Sequence, residues 1–197
     1  MRIIAGSAKG RVLRSLRGRA LRPTMDRVRE SLFAMLGRTI EGARFLDLYA
    51  GSGAVGLEAL SRGAAHATFV ESHRPAGRVI EENAGLCGFS DRVRLLVVPA
   101  PRALARLRRE CQRFDIIFLD PPYSSQEAGG LLARLAQWPG MLAEGGVIVC
   151  QHSRHEDLGE NFGPLGRMRR ARFGETILDF YQVGGKEIDR SSICGDF

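Results

Sequence analysis

The fold is decided by residues Phe45–Gly56, which read FLDLYAGSGAVG. The run Phe45–Tyr49 is typical of a buried strand, and a helical pattern follows it from Ala54. The turn between them carries the spacing G-x-G-x-x-G, and Glu71 follows its first glycine by 20 residues, at the end of the next predicted strand. Such glycines let a ligand approach the backbone, and such a carboxylate binds ribose hydroxyls. The stretch therefore predicts a site for a nucleotide-like ligand.

Asp47 discriminates between the cofactors that fit such a turn. Its carboxylate is expected at the strand end, where it would repel a pyrophosphate and attract a cation. S-adenosylmethionine carries an ammonium and a sulfonium group and no phosphate. Three acidic residues, at positions 47, 71 and 120, follow three predicted strands, and parallel strands bring their carboxyl ends to one edge. We therefore predict an S-adenosylmethionine site with the cofactor-binding residues Asp47, Tyr49, Ala50, Gly51, Ser52, Gly53, Glu71 and Asp120.

A second motif, Asp120-Pro121-Pro122-Tyr123, follows the apolar run Phe114–Leu119. Both prolines lack an N–H group and restrict the preceding residue to extended conformations, so the loop is stiff. The Asp120 carboxylate and the Pro121 carbonyl are two acceptors for the N–H groups of a flat amine, and the Tyr123 ring would stack on an unstacked base. Hydrogen bonds to both N–H groups would direct the nitrogen lone pair toward a methyl donor. We predict that these four residues form the catalytic loop.

The rest of the chain alternates strands with helices, which implies a parallel, doubly wound sheet. Residues 168–172 and 176–181 predict an antiparallel hairpin that closes this sheet, and residues 1–16 predict a small β-hairpin. The expected fold class is α/β, with a mostly parallel seven-stranded sheet, a C-terminal antiparallel hairpin and a small N-terminal β-hairpin. The predicted organisation is a basic extension at 1–22, a main domain at 23–183 and a loose tail at 184–197.

The charge of the chain is unevenly distributed. Of the net charge of +7, residues 1–44 contribute +8 through 11 Lys/Arg and 3 Asp/Glu, whereas the remainder contributes −1 through 18 Lys/Arg and 19 Asp/Glu. This asymmetry favours a phosphate-rich partner, with a solvated basic face as the alternative.

Several classes of protein are disfavoured by the sequence. No window approaches 18 consecutive apolar residues, and the N-terminus lacks the apolar core of a secretory signal. The four cysteines show no metal-ligand spacing and predict reduced thiols in a cytoplasmic protein without a metal site. None of them lies in the catalytic loop, which argues against carbon methylation of a pyrimidine. His152 and His155 are predicted to be polar surface side chains.

Four stretches resemble the bacterial methyltransferases that modify the exocyclic N2 amine of a guanine in 16S ribosomal RNA: residues 2–6 (RIIAG), 22–33 (RPTMDRVRESLF), 47–61 and 120–123. The resemblance covers roughly residues 1–183, and the second stretch is the most specific to that family. It implies a Rossmann-like class I methyltransferase fold that uses S-adenosylmethionine. It also implies a monomer whose N-terminal hairpin helps to hold 16S rRNA within the small ribosomal subunit or its assembly intermediate.

The resemblance also implies roles for particular residues. The RNA-binding residues expected from it are Arg2, Lys9, Arg11, Arg22, Arg27 and Arg29. Two positions depart from the family pattern. His73 replaces a second acid, and Pro99 replaces an Asn or Asp that normally meets the adenine, so the Ala100 N–H is the contact expected there.

Three alternatives stay open at this point. One is methylation of another amino group, such as adenine N6 or a protein glutamine, although those families more often carry Asn in place of Asp120. A dinucleotide-dependent oxidoreductase is disfavoured by Asp47. The third is a non-catalytic RNA-binding assembly factor that keeps the fold for its basic surface.

Overall fold

The computed structural model describes residues 1–15, 23–122 and 127–185, and of residues 23–25 only the backbone. The helices are α1 (Pro23–Leu36), α2 (Ala54–Ser61), α3 (Arg74–Cys87), α4 (Ala100–Arg109) and α5 (Glu127–Ala136). The strands are β1 (Arg44–Leu48), β2 (His66–Val70), β3 (Val93–Leu96), β4 (Phe114–Leu119), β5 (Leu142–Ser153), β6 (Asn161–Phe162), β7 (Leu165–Phe173) and β8 (Thr176–Val183). The predicted tail lies outside the described residues from position 186 onward.

The strands form one sheet in the order β3-β2-β1-β4-β5-β8-β7-β6. Strands β1 to β5 pair in parallel, whereas β8, β7 and β6 pair antiparallel. The predicted α/β class and the C-terminal hairpin, here β7 and β8, are confirmed. Within the described residues the sheet has eight strands, one more than predicted, because the chain reverses at Gly163 and lets residues 161–162 pair with the start of β7. Two residues are too short to show a periodicity in sequence.

The core lies on both faces of the sheet, which is why the parallel strands are almost continuously apolar. On one face, Phe45 and Phe69 pack with side chains of α1, α2 and α3. On the other face, Leu46 and Ile117 pack with side chains of α4 and α5. Asp47 lies between Leu46 and Leu48 on β1 and is 1% exposed.

The N-terminal segment is a hairpin that packs into this same core. Arg2 pairs antiparallel with Val12, and the Ile3 N–H donates to the Arg11 carbonyl at 3.0 Å. Ile3, Ala8 and Leu13 are buried with residues of α1 and α2. The predicted hairpin is therefore confirmed, and its apolar side is part of the main core.

The sheet reverses its strand order between β1 and β4. In open α/β sheets the crevice outside the carboxyl ends of the strands at such a switch point is where ligands bind. Leu48 of β1 lies beside Leu119 of β4, so the chain positions Asp47 and Asp120 at neighbouring strand ends. The fold thus brings the two predicted motifs to one crevice.

The third glycine of the turn motif fixes how closely α2 approaches β2. A Cβ added at Gly56 would lie 2.3 Å from the ring of Phe69, which is completely buried. The missing side chain therefore allows the helix to rest on the sheet.

We expect Gly56→Ala to lower the free energy of unfolding by about 1–3 kcal/mol, because the added methyl group overlaps the Phe69 ring and forces repacking. Gly130→Ala in α5 is the matched control, since a Cβ there meets nothing within 4 Å. That substitution should be neutral or stabilise by up to about 1 kcal/mol. Denaturant unfolding of the two variants measures the difference, and equal stabilities would contradict this packing.

Candidate active site

The glycine-rich turn after β1 is held in a left-handed backbone conformation. Tyr49, Gly51 and Gly53 have φ values of 73°, 57° and 80°. The N–H groups of Tyr49 and Ala50 both donate to the Val70 carbonyl, at 3.1 and 2.9 Å. A positive φ is uncommon for a tyrosine, and such strained backbone clusters at ligand sites. The turn predicted to bind the cofactor therefore has a fixed and strained shape.

Glu71 is joined directly to this turn. Its Oε2 accepts the Gly51 N–H at 2.9 Å and its Oε1 accepts the His73 N–H at 2.8 Å. Each carboxylate oxygen has a further lone pair for a ligand hydroxyl. His73 contributes through its backbone, so the change of side chain at this position does not remove the contact.

Asp47 is the most perturbed acid of the crevice. Burial raises the pKa of its carboxyl to about 7, a hydrogen bond from the Gly56 N–H (3.1 Å) opposes this, and the charges of Asp120 and Glu71 raise it further. Three acids thus converge at one point, where a bound cation would relieve their repulsion. This donor set fits S-adenosylmethionine and disfavours a pyrophosphate.

Asp120 lies at the end of β4 next to a residue that the sequence prediction missed. Its Oδ1 accepts a hydrogen bond of 3.0 Å from Nε2 of Gln151, which is 9% exposed. Because Cys150 of β5 pairs with Leu119 of β4, Gln151 stands beside Asp120 at the carboxyl edge of the sheet. The only sequence signal for Gln151 is a polar residue after the apolar run of β5.

Tyr49 connects the glycine-rich turn to the far side of the catalytic loop. Its hydroxyl donates to Oε2 of Glu127, the first residue of α5, at 2.5 Å. Burial and this hydrogen bond raise the pKa of Tyr49. In the loop itself Pro121 is buried and Pro122 exposed, while Tyr123 lies outside the described residues.

Ala100 begins α4 and is 4% exposed. The first intrahelical hydrogen bonds run from Arg102 and Ala103 to the Pro99 carbonyl. Pro101 has no N–H group, so Ala100 supplies the first backbone donor of this helix. That donor is the one expected to meet the adenine.

Four of the predicted RNA-binding residues, Arg2, Lys9, Arg11 and Arg27, are exposed. All but Arg11 line one groove of about 370 Å³ between the hairpin and α1, together with Ile3, Ile4, Gly10, Asp26 and Glu30. Arg11 instead lies near Cys87 of α3: burial raises the pKa of the Cys87 thiol, and the charge of Arg11 opposes this rise. Arg22 lies outside the described residues.

The prediction for Arg29 was wrong, since its side chain is buried. It is 4% exposed, and its Nη2 donates to the Arg2 carbonyl at 2.7 Å and to Asp26 at 3.1 Å. Its Nε lies 3.8 Å from the buried Glu58. Arg29 therefore fixes the hairpin to α1 and does not face RNA. Its position four residues before the buried Phe33 was the signal in the sequence.

His152 is a second correction, because the side chain predicted on the surface is completely buried. Its Nε2 lies 3.0 Å from the Asp179 carboxylate, which also accepts two hydrogen bonds of 2.7 Å from Arg170. Burial would raise the pKa of Asp179, but the bonds from Arg170 and His152 outweigh it and lower that pKa. This cluster holds β5, β8 and β7 together.

Two kinds of feature are missing from residues 1–15, 23–122 and 127–185, the part of the chain that the structure describes. Within these ranges, no group of three His, Cys, Asp or Glu side chains is placed to hold a metal ion. No helix there is both long and apolar enough to cross a membrane.

Known proteins are similar to this chain in sequence. The chain is 40% identical over 185 residues to a Bacillus subtilis protein named putative rRNA methyltransferase YlbH, covering 94% of this chain and all of that one. It is 43% identical over 124 residues to ribosomal RNA small subunit methyltransferase D of Escherichia coli, covering 62% of this chain and 60% of that one.

A solved structure has the same fold. The putative methyltransferase yhhF from Escherichia coli superposes with a TM-score of 0.81 at 33% identity, covering 94% of this chain and 99% of that one. The family model described as "Conserved hypothetical protein 95" matches residues 1–182. The chain therefore belongs to this family, and the methyltransferase resemblance predicted from its sequence is confirmed.

Proposed function

We propose that this chain transfers the methyl group of S-adenosylmethionine to the exocyclic N2 amine of a guanine in 16S rRNA. The substrate is the small ribosomal subunit or its assembly intermediate, and the enzyme acts as a cytoplasmic monomer. One observation carries the proposal: Asp120 lies at the switch point of the sheet beside the buried Asp47, with its carboxylate oriented by Gln151. The names of the relatives, which specify rRNA and the small subunit, support the substrate.

Different residues of the crevice bind different parts of the cofactor. When bound, S-adenosylmethionine supplies an electrophilic methyl group. Asp47 attracts its positive charge, and the turn Tyr49–Gly53 holds its amino-acid part at close range to the backbone. Glu71 accepts hydrogen bonds from the ribose hydroxyls, and the Ala100 N–H donates a hydrogen bond to the adenine.

The catalytic loop acts on the amine of the substrate. The Asp120 carboxylate and the Pro121 carbonyl accept hydrogen bonds from its two N–H groups. These two bonds turn the nitrogen lone pair out of the plane of the base. Asp120 then receives the proton that the nitrogen loses. Gln151 limits rotation of the carboxylate through its hydrogen bond to Oδ1, so the acceptor is positioned before the substrate arrives.

The RNA is held by the hairpin side of the molecule. Arg2, Lys9 and Arg27 face one groove, and their charges suit a phosphate backbone. In this proposal Arg11 and Arg22 also bind RNA phosphates, and Tyr123 stacks on the flipped guanine. Arg29 supports the groove from inside through its bond to the Arg2 carbonyl.

The function is tested by incubating the protein with labelled S-adenosylmethionine and small subunits from a strain that lacks the gene. We expect the label in N2-methylguanosine of 16S rRNA. Label in N6-methyladenosine would instead support methylation of another base, and transfer to no component of the subunit would contradict the proposal.

Asp120→Ala should lower kcat by about 10² to 10³-fold, because an acceptor for the amine is lost. The binding of S-adenosylhomocysteine should change much less. Asp115→Asn is the matched control: it lies on the same strand at the opposite edge, where its carboxylate accepts the Arg44 N–H at 2.7 Å. Full activity of the Asp120 variant in the transfer assay would remove Asp120 from the mechanism.

Gln151→Leu should lower kcat by about tenfold while leaving the KM for S-adenosylmethionine nearly unchanged, since the lost bond orients Asp120 only. Gln182→Leu is the control, because Gln182 donates one comparable hydrogen bond, to the Gly145 carbonyl at 3.3 Å, away from the crevice. Equal kcat values for the two variants would show that Gln151 has no positioning role.

The affinity for S-adenosylhomocysteine should rise with pH through the region near pH 7. The Asp47 carboxyl has a pKa of about 7 without ligand, and an ammonium group binds only its ionised form. At pH 6 about nine tenths of this carboxyl is protonated, so the affinity is about tenfold weaker than at pH 8. Calorimetric Kd values of the wild type and Asp47→Asn for S-adenosylhomocysteine separate this effect from titration of the ligand. The same pH dependence of Kd in both proteins would show that Asp47 is not its cause.

A further inference from the structure

The N-terminal segment and the cofactor turn meet at one buried side chain, Asn83 of α3. Asn83 is 0% exposed. Its Nδ2 donates to the Ser52 carbonyl at 2.9 Å and to the Arg14 carbonyl at 3.0 Å. Its Oδ1 accepts the Arg14 N–H at 2.7 Å. Both hydrogens of the amide are therefore used to join the backbones of two segments that lie 38 residues apart in sequence.

Both of these segments belong to the proposed functional surfaces. Ser52 lies between Gly51 and Gly53, which have positive φ values, so the direction of its carbonyl depends on the conformation of the turn. Arg14 follows the hairpin whose exposed Arg2 and Lys9 line the groove proposed to hold RNA. A change in the backbone at either position alters the hydrogen bonds that Asn83 makes to the other.

The hairpin that precedes Arg14 is held on the helix that follows the same turn. Glu58 of α2 is 0% exposed and accepts the N–H groups of Ile4 and Ala5 at 2.7 and 3.0 Å. A Cβ at Gly6 would lie 1.8 Å from the Ser61 carbonyl oxygen, so the contact is close. Residues 1–8 are thus fixed to α2, and Arg14 is where the segment is joined to the turn through Asn83.

The neighbouring residue offers a comparison within the same helix. Glu82 forms an ion pair of 2.6 Å with the Arg14 side chain, and both side chains are about half exposed or more, at 46% and 61%. Among the described residues, the Glu82 carboxylate bonds to the Arg14 side chain and not to the glycine-rich turn. Asn83 alone of the two therefore connects Arg14 with Ser52.

We infer that Asn83 is a positioning residue that couples engagement of rRNA by the N-terminal hairpin to binding of S-adenosylmethionine by the glycine-rich turn. This inference rests on the proposed function. Because such coupling is reciprocal, the cofactor tightens RNA binding by the same factor by which RNA tightens cofactor binding. The buried amide transmits this effect through direct hydrogen bonds.

The test measures the Kd of the full-length protein for unmethylated small subunits by filter binding, with and without saturating S-adenosylhomocysteine. In the wild type the ratio of the two Kd values should be about fivefold or more. Asn83→Asp keeps the acceptor for the Arg14 N–H but loses both donors, and its ratio should fall to about one. Glu82→Gln removes only the exposed ion pair and should keep the wild-type ratio.

Hydrogen exchange gives a second readout that does not depend on the RNA-binding measurement. Saturating S-adenosylhomocysteine should slow exchange of the Arg14 amide in the wild type, and Asn83→Ser should abolish that slowing. Unchanged exchange at Arg14, a wild-type ratio of one, or an unchanged ratio in Asn83→Asp would each overturn the inference. Failure of the wild type to bind either S-adenosylhomocysteine or the subunits would instead contradict the proposed function.

Discussion

The structure around the crevice depends on one buried anion, the carboxylate of Asp47 at the end of β1. Burying a carboxylate is costly unless hydrogen bonds or an opposite charge compensate for it. Here one N–H group, from Gly56 in the first turn of α2, is the partner, and the pKa still rises to about 7. The position of α2 is therefore fixed twice at Gly56: by the hydrogen bond to Asp47, and by the close approach to Phe69. A cationic ligand completes the compensation.

The N-terminal segment is built into this arrangement. The same stretch that supplies exposed basic side chains to the groove also supplies backbone groups to buried acceptors on α2 and α3. Arg29 shows how charge serves both purposes, because its buried guanidinium fixes the carbonyl of the exposed Arg2. The proposed RNA-binding surface and the cofactor turn consequently share one core, and this sharing is the physical basis for the coupling inferred through Asn83.

Much of this architecture could be predicted because its signals are local. The apolar runs gave the parallel strands, and the spacing of Asp47, Gly51 and Glu71 placed a cofactor site at their ends. Features that depend on contacts between distant segments were missed. Gln151 meets Asp120 only through strand pairing, and His152 is buried only because β8 brings Asp179 beside it. The family resemblance predicted that Arg29 faces RNA, although its position four residues before the buried Phe33 places its side chain inside.

The central claim is that the Asp120 crevice methylates the N2 amine of a guanine in 16S rRNA. The most direct measurement is mass spectrometry of rRNA nucleosides from three strains that carry the wild-type gene, no gene, or the gene for Asp120→Ala. The account predicts that N2-methylguanosine at one 16S rRNA position is present in the first strain and missing from the other two. An unchanged set of methylated nucleosides in all three strains would contradict it.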